Sequence, residues 1–314
     1  MRIIITDEVA KEAMELLKEK HEVVFKELRG EELANEIGEY DALMVRSGTK
    51  VTADIIERAD RLKVIGRAGI GVDNIDVEAA SKKGIYVVNS PGGSTRSVAE
   101  LTIGHMLSLA RHIPRADRSM REGKWEKKKL KGIELQGKTL GIIGFGRIGR
   151  EVCKLALALG MKCMAYDPLL SEEDIKSNNA TPASVEEILK NADFVSIHTP
   201  LTEKTRHMIS TPQLEMMKES AYIINCARGG IIDEDALYEA LKSGKIAGAA
   251  LDVYEQEPYS GKLTELDNVV FTPHLGASTK EGQIRAGVIC AEQILKVLDG
   301  EEPDYWVNRN MMKS

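Results

Sequence analysis

Three side chains with complementary acid–base properties, Arg228, Glu257 and His274, each lie shortly after a segment that is predicted to form a β-strand. Histidine exchanges protons near neutral pH, and a carboxylate beside it can orient the imidazole and stabilise its protonated form. Arginine binds a carboxylate through two parallel hydrogen bonds. These groups suit the oxidation of a 2-hydroxy acid, with His274 as the base, Glu257 as its partner and Arg228 on the substrate carboxylate.

A glycine-rich turn between Leu140 and Arg150 predicts the site of the hydride acceptor. Its G-x-G-x-x-G spacing lets the chain reverse at Gly144, leaves room for a pyrophosphate at Gly146 and allows close helix–strand packing at Gly149. Asp167 ends the next predicted strand, roughly 20 residues downstream, where a carboxylate binds a ribose diol and repels a 2′-phosphate. The turn and this acid together predict a dinucleotide site that favours NAD over NADP.

Polar residues also follow the later strands, and parallel strands would bring all of them to one edge of a sheet. The residues predicted to bind the cofactor are Gly144, Gly146, Arg147, Ile148, Gly149, Asp167, His198, Thr199, Pro200, Thr205, Cys226, Ala227, Arg228, Asp252, His274, Gly276 and Ala277. Asp252 has an alternative role, since it can simply brace a loop. Cys226 is interpreted as packing beside the cofactor, because no base is matched to it.

Strands alternate with amphipathic helices in two long regions, which predicts α/β units with parallel sheets. In residues 1–90 the predicted strands are Ile3–Ile5, Glu22–Phe25, Ala42–Val45, Val64–Ile65 and Ile85–Val88. From Thr139 onwards six strands are predicted, at Leu140–Ile143, Lys162–Tyr166, Asp193–Ile197, Ala221–Asn225, Ile246–Leu251 and Val269–Thr272. Between the two regions we predict one long helix from Val98 to about Met120, followed by an exposed loop from Glu122 to Leu135. A final helix is predicted over Lys280–Leu298.

Bulk composition narrows the class of protein. A chain of 314 residues suits two domains, and a formal net charge of −6 argues against a nucleic-acid partner. The sequence shows neither a signal-peptide pattern nor an apolar run that could cross a membrane. The four cysteines, Cys153, Cys163, Cys226 and Cys290, are predicted to be reduced and buried in a cytoplasmic protein, and no metal site is predicted.

Four segments together resemble the D-isomer-specific 2-hydroxyacid dehydrogenases. They are Gly144–Gly149, Asn225–Gly230, Ala250–Pro258 and Thr272–Thr279. The resemblance implies two doubly wound parallel-sheet domains, a flavodoxin-like substrate domain of residues 1–96 and 284–314 and a Rossmann NAD domain of residues 97–283. It also implies an active-site cleft between the domains and a catalytic set of Arg228, Glu257 and His274.

A second group of residues bears on the substrate. The predicted substrate-binding residues are Arg46, Ser47, Lys50, Arg67, Gly69, Ile70, Gly71 and Lys127. The cations Arg46, Lys50 and Arg67 exceed what one carboxylate requires, and a turn at Gly69 and Gly71 would present amides to an anion. A second anion on the substrate accounts for this surplus.

The segments Val45–Lys50 and Ile65–Asn74, with the lysine-rich loop Gly123–Lys129, resemble the branch of the family that oxidises 3-phospho-D-glycerate. In that branch the loop reaches a partner subunit's site, which implies a homodimer or homotetramer and a role there for Lys127. The chain resembles a short form without a C-terminal regulatory domain, so no serine feedback is expected. One alternative is an enzyme with the same chemistry, either a glyoxylate or hydroxypyruvate reductase or another D-2-hydroxyacid dehydrogenase. A more remote alternative is an NADH-sensing binding protein that resembles a corepressor.

Overall fold

The structure, a computed structural model, describes residues 1–312 and separates them into two units. Unit 1 comprises Met1–Thr95 and the segment from Ala277 onwards, and unit 2 comprises Arg96–Gly276. The chain thus returns to unit 1 before the helix Lys280–Leu298, so the whole helix belongs to unit 1. The predicted domain boundary at 283/284 instead falls inside that helix.

The strands of the described chain form two sheets in which every pairing is parallel. Unit 1 has the order β2-β1-β3-β4-β5, and unit 2 has the order β12-β11-β10-β9-β6-β7-β8. The strands are β1 (Arg2–Ile5), β2 (Glu22–Phe25), β3 (Ala42–Val45), β4 (Val64–Arg67), β5 (Tyr86–Val88), β6 (Thr139–Ile143), β7 (Lys162–Tyr166), β8 (Thr181–Pro182), β9 (Phe194–Ile197), β10 (Tyr222–Asn225), β11 (Gly248–Leu251) and β12 (Val269–Phe271).

Most helices lie in the connections between strands, as the alternating pattern predicts, and the last two follow the final strand. They are α1 (Lys11–Lys18), α2 (Gly30–Glu36), α3 (Ala53–Glu57), α4 (Val77–Lys82), α5 (Thr95–Arg111), α6 (Ile113–Arg121), α7 (Arg147–Ala158), α8 (Glu172–Lys176), α9 (Val185–Asn191), α10 (Thr211–Met216), α11 (Glu234–Lys242), α12 (Lys280–Leu298) and α13 (Arg309–Met312). Among the described helices, none has the length and apolar character needed to cross a membrane.

Unit 1 has the strand order 2-1-3-4-5 of flavodoxin-like folds, and it is completed by the end of the chain. Helix α12 packs on one face of the sheet, where Cys290 and Ile294 share a core with β1, β3 and β4. A β-carbon at Gly66 would lie 2.6 Å from Ile294 Cδ1 and 2.7 Å from Cys290 Sγ. Glycine at this position therefore lets the helix lie close to β4, which leads into the predicted substrate-binding segment at Arg67.

Unit 2 contains seven strands, so the prediction of six is wrong by one edge strand. The additional strand, β8, has only Thr181 and Pro182, and it pairs with β7 through Met164 and Ala165. Two residues are too few to show a sequence period. Proline cannot donate a hydrogen bond to a neighbouring strand, but an edge strand has a neighbour on one side only, so proline is tolerated there. Each predicted strand is otherwise present, with small shifts at its ends.

The prediction of one long helix from Val98 to about Met120 is also wrong. The helix breaks at His112, whose φ of 53° is left-handed, and α6 then begins with Pro114 in its first turn. Proline has no N–H and its ring would clash with the preceding turn of a continuous helix, so the chain restarts there. The predicted loop after α6 is mostly exposed, with Trp125 79% accessible, but Leu135 at its end is buried in the core of unit 2. All four cysteines are buried and free, as predicted.

Candidate active site

The carboxyl ends of the unit 2 strands gather the predicted catalytic and cofactor-binding residues of that unit along one edge. Since the strands are parallel and ordered β12-β11-β10-β9-β6-β7-β8, their following loops lie in that spatial order. Along the edge, from the β12 side to the β7 side, these loops carry His274, Asp252, Cys226, His198, Gly144 and Asp167. The residues predicted for proton transfer and carboxylate binding therefore lie towards one end of the edge, and the acid predicted to bind the ribose lies towards the other.

The topological switch point of unit 2 lies between β6 and β9, where the chain direction across the sheet reverses. Ligands of doubly wound sheets bind at such a point. Gly144 has a φ of 95°, and a β-carbon there would lie 2.7 Å from the carbonyl carbon of His198. Both the left-handed backbone and this close approach require glycine.

The turn after β6 fits a dinucleotide pyrophosphate. A β-carbon at Gly149 would lie 2.2 Å from Gly144 O, whereas one at Gly146 would project into open space. Helix α7 has Gly146 as its N-cap, without a side-chain cap and without an acidic residue in its first turn. The amides of its first residues, including Arg147 and Ile148, and the helix dipole are therefore suited to a phosphate.

Asp167, at the end of β7, braces the glycine turn in addition to its predicted role. Its Oδ2 accepts the N–H of Phe145 at 2.9 Å, and its Oδ1 accepts the N–H of Leu169 at 3.0 Å. A carboxylate oxygen can accept more than one hydrogen bond, so both oxygens keep acceptor capacity for a ribose diol. The residues present thus fit NAD.

The loop after β9 holds His198, Thr199, Pro200 and Thr205. His198 Nε2 lies 2.8 Å from Ser196 Oγ, and Thr205 closes the loop by donating its hydroxyl to Pro200 O at 2.7 Å. His198 Nδ1 and Thr199 Oγ1 are buried and have no hydrogen-bond partner among residues 1–312. Buried polar atoms of this kind, beside the glycine turn, are suited to polar groups of a bound cofactor.

Burial lowers the pKa of His198 to about 4, which makes stability depend on pH. The unfolded chain takes up this proton near pH 6.5 and the native chain only near pH 4, so native stability is lost as the pH falls through this window. We expect His198→Gln to reduce the loss of unfolding free energy across the window by about 3 kcal/mol. Denaturant unfolding of both proteins from pH 7 to pH 4.5 measures the difference, and equal slopes would contradict it.

His274 and Glu257, the predicted proton-transfer pair, are in contact in the structure. His274 Nδ1 lies 2.9 Å from Glu257 Oε2, and the backbone N–H of Tyr254 donates to Glu257 Oε1 at 3.2 Å. With Nδ1–H donating to the carboxylate, Nε2 is left as the basic nitrogen. Both side chains are partly exposed, so a substrate can reach them.

Asp252 holds the loop that carries His274, which matches the bracing alternative. The carboxylate, only 1% exposed, accepts the hydroxyl of Thr272 at 2.5 Å and the N–H groups of Leu275 and Gly276 at 2.7 and 2.8 Å. His274 itself has a left-handed φ of 53°, a conformation that costs about 1 kcal/mol or more for a residue with a β-carbon. The three hydrogen bonds compensate for that strain. Ala277 follows directly, at the start of the second segment of unit 1.

The loop after β10 presents Arg228. Asn225 clamps this loop, because its Nδ2 donates to Arg228 O at 2.9 Å and its Oδ1 accepts the N–H of Ala227 at 3.0 Å. Arg228 Nη1 donates to Ala227 O at 2.7 Å. A β-carbon at Gly229 would lie 1.7 Å from Tyr254 O, so this loop packs on the backbone that also holds Glu257.

A cavity of about 630 Å³ lies beside His274 and Glu257. Its lining includes His274 and Glu257, together with the stacked rings of Tyr254 and Tyr259, whose centroids are 4.5 Å apart. Another cavity, of about 510 Å³, lies at the amino-terminal ends of β10–β12 and is lined by none of the predicted site residues. His274 and Glu257 are therefore associated with the first cavity, whereas Arg228 is not part of its lining.

In unit 1, the predicted anion-binding loop after β3 is shaped by Asp7. This buried carboxylate accepts the N–H of Arg46 at 2.6 Å and that of Thr49 at 3.2 Å, and Arg29 donates to it at 2.8 Å. Arg46 also donates Nη1 to Glu8 O at 3.0 Å. The loop conformation is thus set by a buried charge.

Asn74 holds the same loop from its other side, by donating to the carbonyls of Arg46 at 2.8 Å and Thr49 at 2.6 Å. Ser47 and Lys50 are exposed on the loop. Asp7 and Asn74 together leave these two side chains directed away from the buried clamp and available to an anion.

The segment after β4 only partly matches the expected anion-binding turn. Gly69 lacks a left-handed φ, and its N–H donates to Arg67 O at 2.8 Å, so this amide is used within the protein. A β-carbon there would lie 1.5 Å from Arg67 Nη1, which shows that the guanidinium folds over the glycine. The Gly69 amide is therefore occupied within the protein and does not face an anion, contrary to the prediction. Ile70 and Gly71 follow, and Ile70 O accepts a hydrogen bond from Asn89 at 2.6 Å.

Several positioning residues were not predicted. Asn225 and Asn74 lie in or close to the segments that contain predicted site residues. Asparagine in a loop commonly forms hydrogen bonds with nearby backbone, so the sequence contains some indication of their role. The sequence contains no indication of the roles of Asp7 and His105, because their hydrogen-bond partners are distant along the chain.

Within residues 1–312 no group of three or more His, Cys, Asp and Glu side chains is arranged to hold a metal ion. Lys127 is exposed in the loop after α6.

Comparison with known proteins places this geometry among related sequences. The family profile described as "D-isomer specific 2-hydroxyacid dehydrogenase, NAD binding domain" matches residues 103–276. D-3-phosphoglycerate dehydrogenase of Methanocaldococcus jannaschii is 56% identical over 98% of this chain, which spans only 59% of that protein. Hydroxypyruvate reductase of Thermotoga maritima is 54% identical over 95% of this chain and 98% of its own length.

A solved structure is similar over both units. D-lactate dehydrogenase from Aquifex aeolicus, in complex with NAD and lactic acid, is 31% identical and covers 96% of each chain with a TM-score of 0.83.

Proposed function

Because the chain belongs to the D-isomer specific 2-hydroxyacid dehydrogenase family and its NAD-binding domain is that of the family, we propose that it oxidises 3-phospho-D-glycerate to 3-phosphohydroxypyruvate with NAD. The observation that carries the chemistry is the His274–Glu257 pair, 2.9 Å apart, on the edge that also bears the Arg228 loop. Bound NAD supplies the nicotinamide that accepts the hydride. All other steps are assigned to side chains of the protein.

In the proposed reaction His274 Nε2 takes the proton of the substrate hydroxyl as the hydride leaves the same carbon. Glu257 keeps Nδ1 protonated and stabilises the imidazolium that forms. Arg228 binds the substrate carboxylate and holds the reacting carbon beside the base. In the reverse direction His274 returns the proton to the carbonyl oxygen.

The phosphate is proposed to interact with the cations of unit 1 and of the lysine-rich loop. Asp7 and Asn74 hold the backbone of the Arg46–Lys50 loop, so the backbone that carries its exposed side chains is ordered before a ligand binds. The 56% identity with a D-3-phosphoglycerate dehydrogenase supports the same substrate. Lys127 is proposed to act on the site of a second copy in a homodimer or homotetramer.

Reduction of hydroxypyruvate is a second candidate, and a specific observation favours it. The hydroxypyruvate reductase of Thermotoga maritima is 54% identical over 95% of this chain, nearly the 56% of the D-3-phosphoglycerate dehydrogenase. The same residues would serve both reactions, since the two keto acids differ only in the phosphate. The choice between them therefore depends on the phosphate-binding cations.

A substrate panel tests the proposal. With NADH, we expect kcat/KM for phosphohydroxypyruvate to exceed that for hydroxypyruvate and glyoxylate by about tenfold or more, as one charged contact would produce. NADPH in place of NADH should support much slower turnover, because Asp167 repels a 2′-phosphate. Equal rates with both hydroxypyruvates would exclude the phosphorylated substrate and leave the second candidate.

The variant Lys127→Ala tests the cationic loop. We expect about a tenfold rise in KM for phosphohydroxypyruvate and little change for hydroxypyruvate, because only the phosphate contact is lost. Lys154→Ala is the matched control, since it removes the same charge from the exposed side of α7. If Lys127→Ala affects both substrates equally, the loop has no role in phosphate binding.

A further inference from the structure

A buried chain of polar side chains in unit 2 connects helix α5 to the loop of His274. His105, on α5 and 3% exposed, has Nε2 3.1 Å from Thr272 Oγ1 and Nδ1 3.6 Å from Cys226 Sγ. Thr272 Oγ1 in turn lies 2.5 Å from Asp252 Oδ1. The reaction steps described above use neither His105 nor Thr272.

The protons of this chain have one consistent arrangement. Asp252 is an acceptor, so the single hydroxyl proton of Thr272 is donated to it. Thr272 Oγ1 then accepts from His105, which must carry its proton on Nε2. His105 Nδ1 is consequently an acceptor, and the thiol of Cys226 is its donor.

The electrostatic environment agrees with this arrangement. Burial lowers the pKa of His105, against the opposing effect of Asp252, so the imidazole is neutral with one N–H. Burial raises the pKa of the Cys226 thiol to about 12, so the sulfur keeps its proton and can donate it. Each of the three groups has one proton to donate, and each donation runs towards Asp252.

We propose that His105 is a positioning residue for His274, acting through Thr272 and Asp252 on the backbone of the loop that carries the base. Asp252 accepts the N–H groups of Leu275 and Gly276, the two residues that follow His274. If His105 does not donate to Thr272, the hydroxyl is free to turn away from Asp252. The carboxylate then loses one of the contacts that hold it against these amides.

This inference rests on the proposed function only for its kinetic consequence, because the loop geometry can be measured without a substrate. A misplacement of about 1 Å at a reacting group can cost up to about 10²-fold in rate. A loosened loop should therefore lower kcat, and it should change KM for NADH much less, since the glycine turn and Asp167 are on other strands.

The kinetic test compares His105→Leu with His105→Gln. The leucine variant keeps an apolar side chain of similar size but has no donor, and we expect about a tenfold lower kcat for keto-acid reduction with a much smaller change in KM for NADH. The glutamine amide places an N–H donor near the position of Nε2, and it should restore most of the lost rate. Leu109→Ala, which removes a buried apolar side chain from the same helix, is the control and should lower stability without lowering kcat.

A second readout uses amide hydrogen exchange in the full chain without substrate. Exchange at Leu275 and Gly276 should accelerate at least severalfold in His105→Leu and remain near wild type in His105→Gln and Leu109→Ala. Thr272→Val removes the link itself, so adding His105→Leu to it should cause no further loss of kcat or protection.

The inference is overturned if His105→Leu leaves both kcat and the two amides unchanged, or if glutamine fails to restore them, or if the double variant loses as much as the sum of the single ones. If wild type reduces none of the 2-keto acids, the proposed function fails. The exchange experiment still tests the positioning role in that case, so the two failures are distinguishable.

Discussion

His274→Ala is expected to lower kcat by about 10²- to 10⁴-fold, the contribution typical of a positioned general base or acid. The variant loses the only imidazole that is paired with Glu257, while the glycine turn and Asp167 are unchanged. NADH affinity should therefore remain close to that of wild type. Steady-state kinetics with phosphohydroxypyruvate and a fluorescence titration with NADH measure the two quantities separately.

The chain offers a matched control for this variant. His207 also has a left-handed φ, of 49°, and its Nε2 lies 3.0 Å from a carboxylate oxygen, Glu255 Oε1. His207→Ala removes a histidine–glutamate pair of the same type and should leave kcat within about twofold of wild type. If His274→Ala retains near-normal turnover, or if both variants lose activity to the same degree, His274 is not the base.

Arg228→Lys is expected to lower kcat/KM by about 10²-fold although the positive charge is kept. Lysine has no planar fork, so it cannot form two parallel hydrogen bonds with the substrate carboxylate, and a charged hydrogen bond contributes about 1.5–3 kcal/mol. The loss should be similar for phosphohydroxypyruvate and hydroxypyruvate, because both carry that carboxylate. Kinetics with both substrates measure it.

Arg206→Lys provides the control for loop packing. Its guanidinium is near the same loop, since Arg206 Nη1 lies 3.4 Å from the position of a β-carbon on Gly230. We expect this substitution to leave kcat/KM close to wild type. Full activity of Arg228→Lys would contradict bidentate binding of the carboxylate, and an equal loss in both variants would point to the shape of the loop.

The site residues that sequence reasoning identified in unit 2 are those at strand ends. The glycine spacing at Gly144–Gly149 and the acid at Asp167 follow local rules of strand, turn and helix, and the structure shows the expected turn. Parallel strands then align their following loops whatever the details of packing. This is why Glu257 and His274 were paired in the prediction although 17 residues separate them.

Predictions failed where local patterns were short or ambiguous. The edge strand β8 has two residues, and the break at His112 depends on how the chain turns before Pro114. The anion-binding role of the Gly69 amide failed because Arg67 folds back over that glycine. A side chain's preferred direction in a loop depends on neighbours from several elements, which no local pattern contains.

The alternation of strands and helices, the glycine turn after β6 and the types of residue at the strand ends could be predicted from local sequence. Each of these depends on neighbours within a few positions along the chain or on the alignment of parallel strands. The groups that hold the predicted site residues in place became visible in the folded chain: Asn225 on the Arg228 loop, Asp7 on the Arg46 loop, and Asp252 with Thr272 and His105 on the His274 loop. The longest of these links join residues far apart in sequence, and buried hydrogen bonds of that kind are selected by the packing of whole elements.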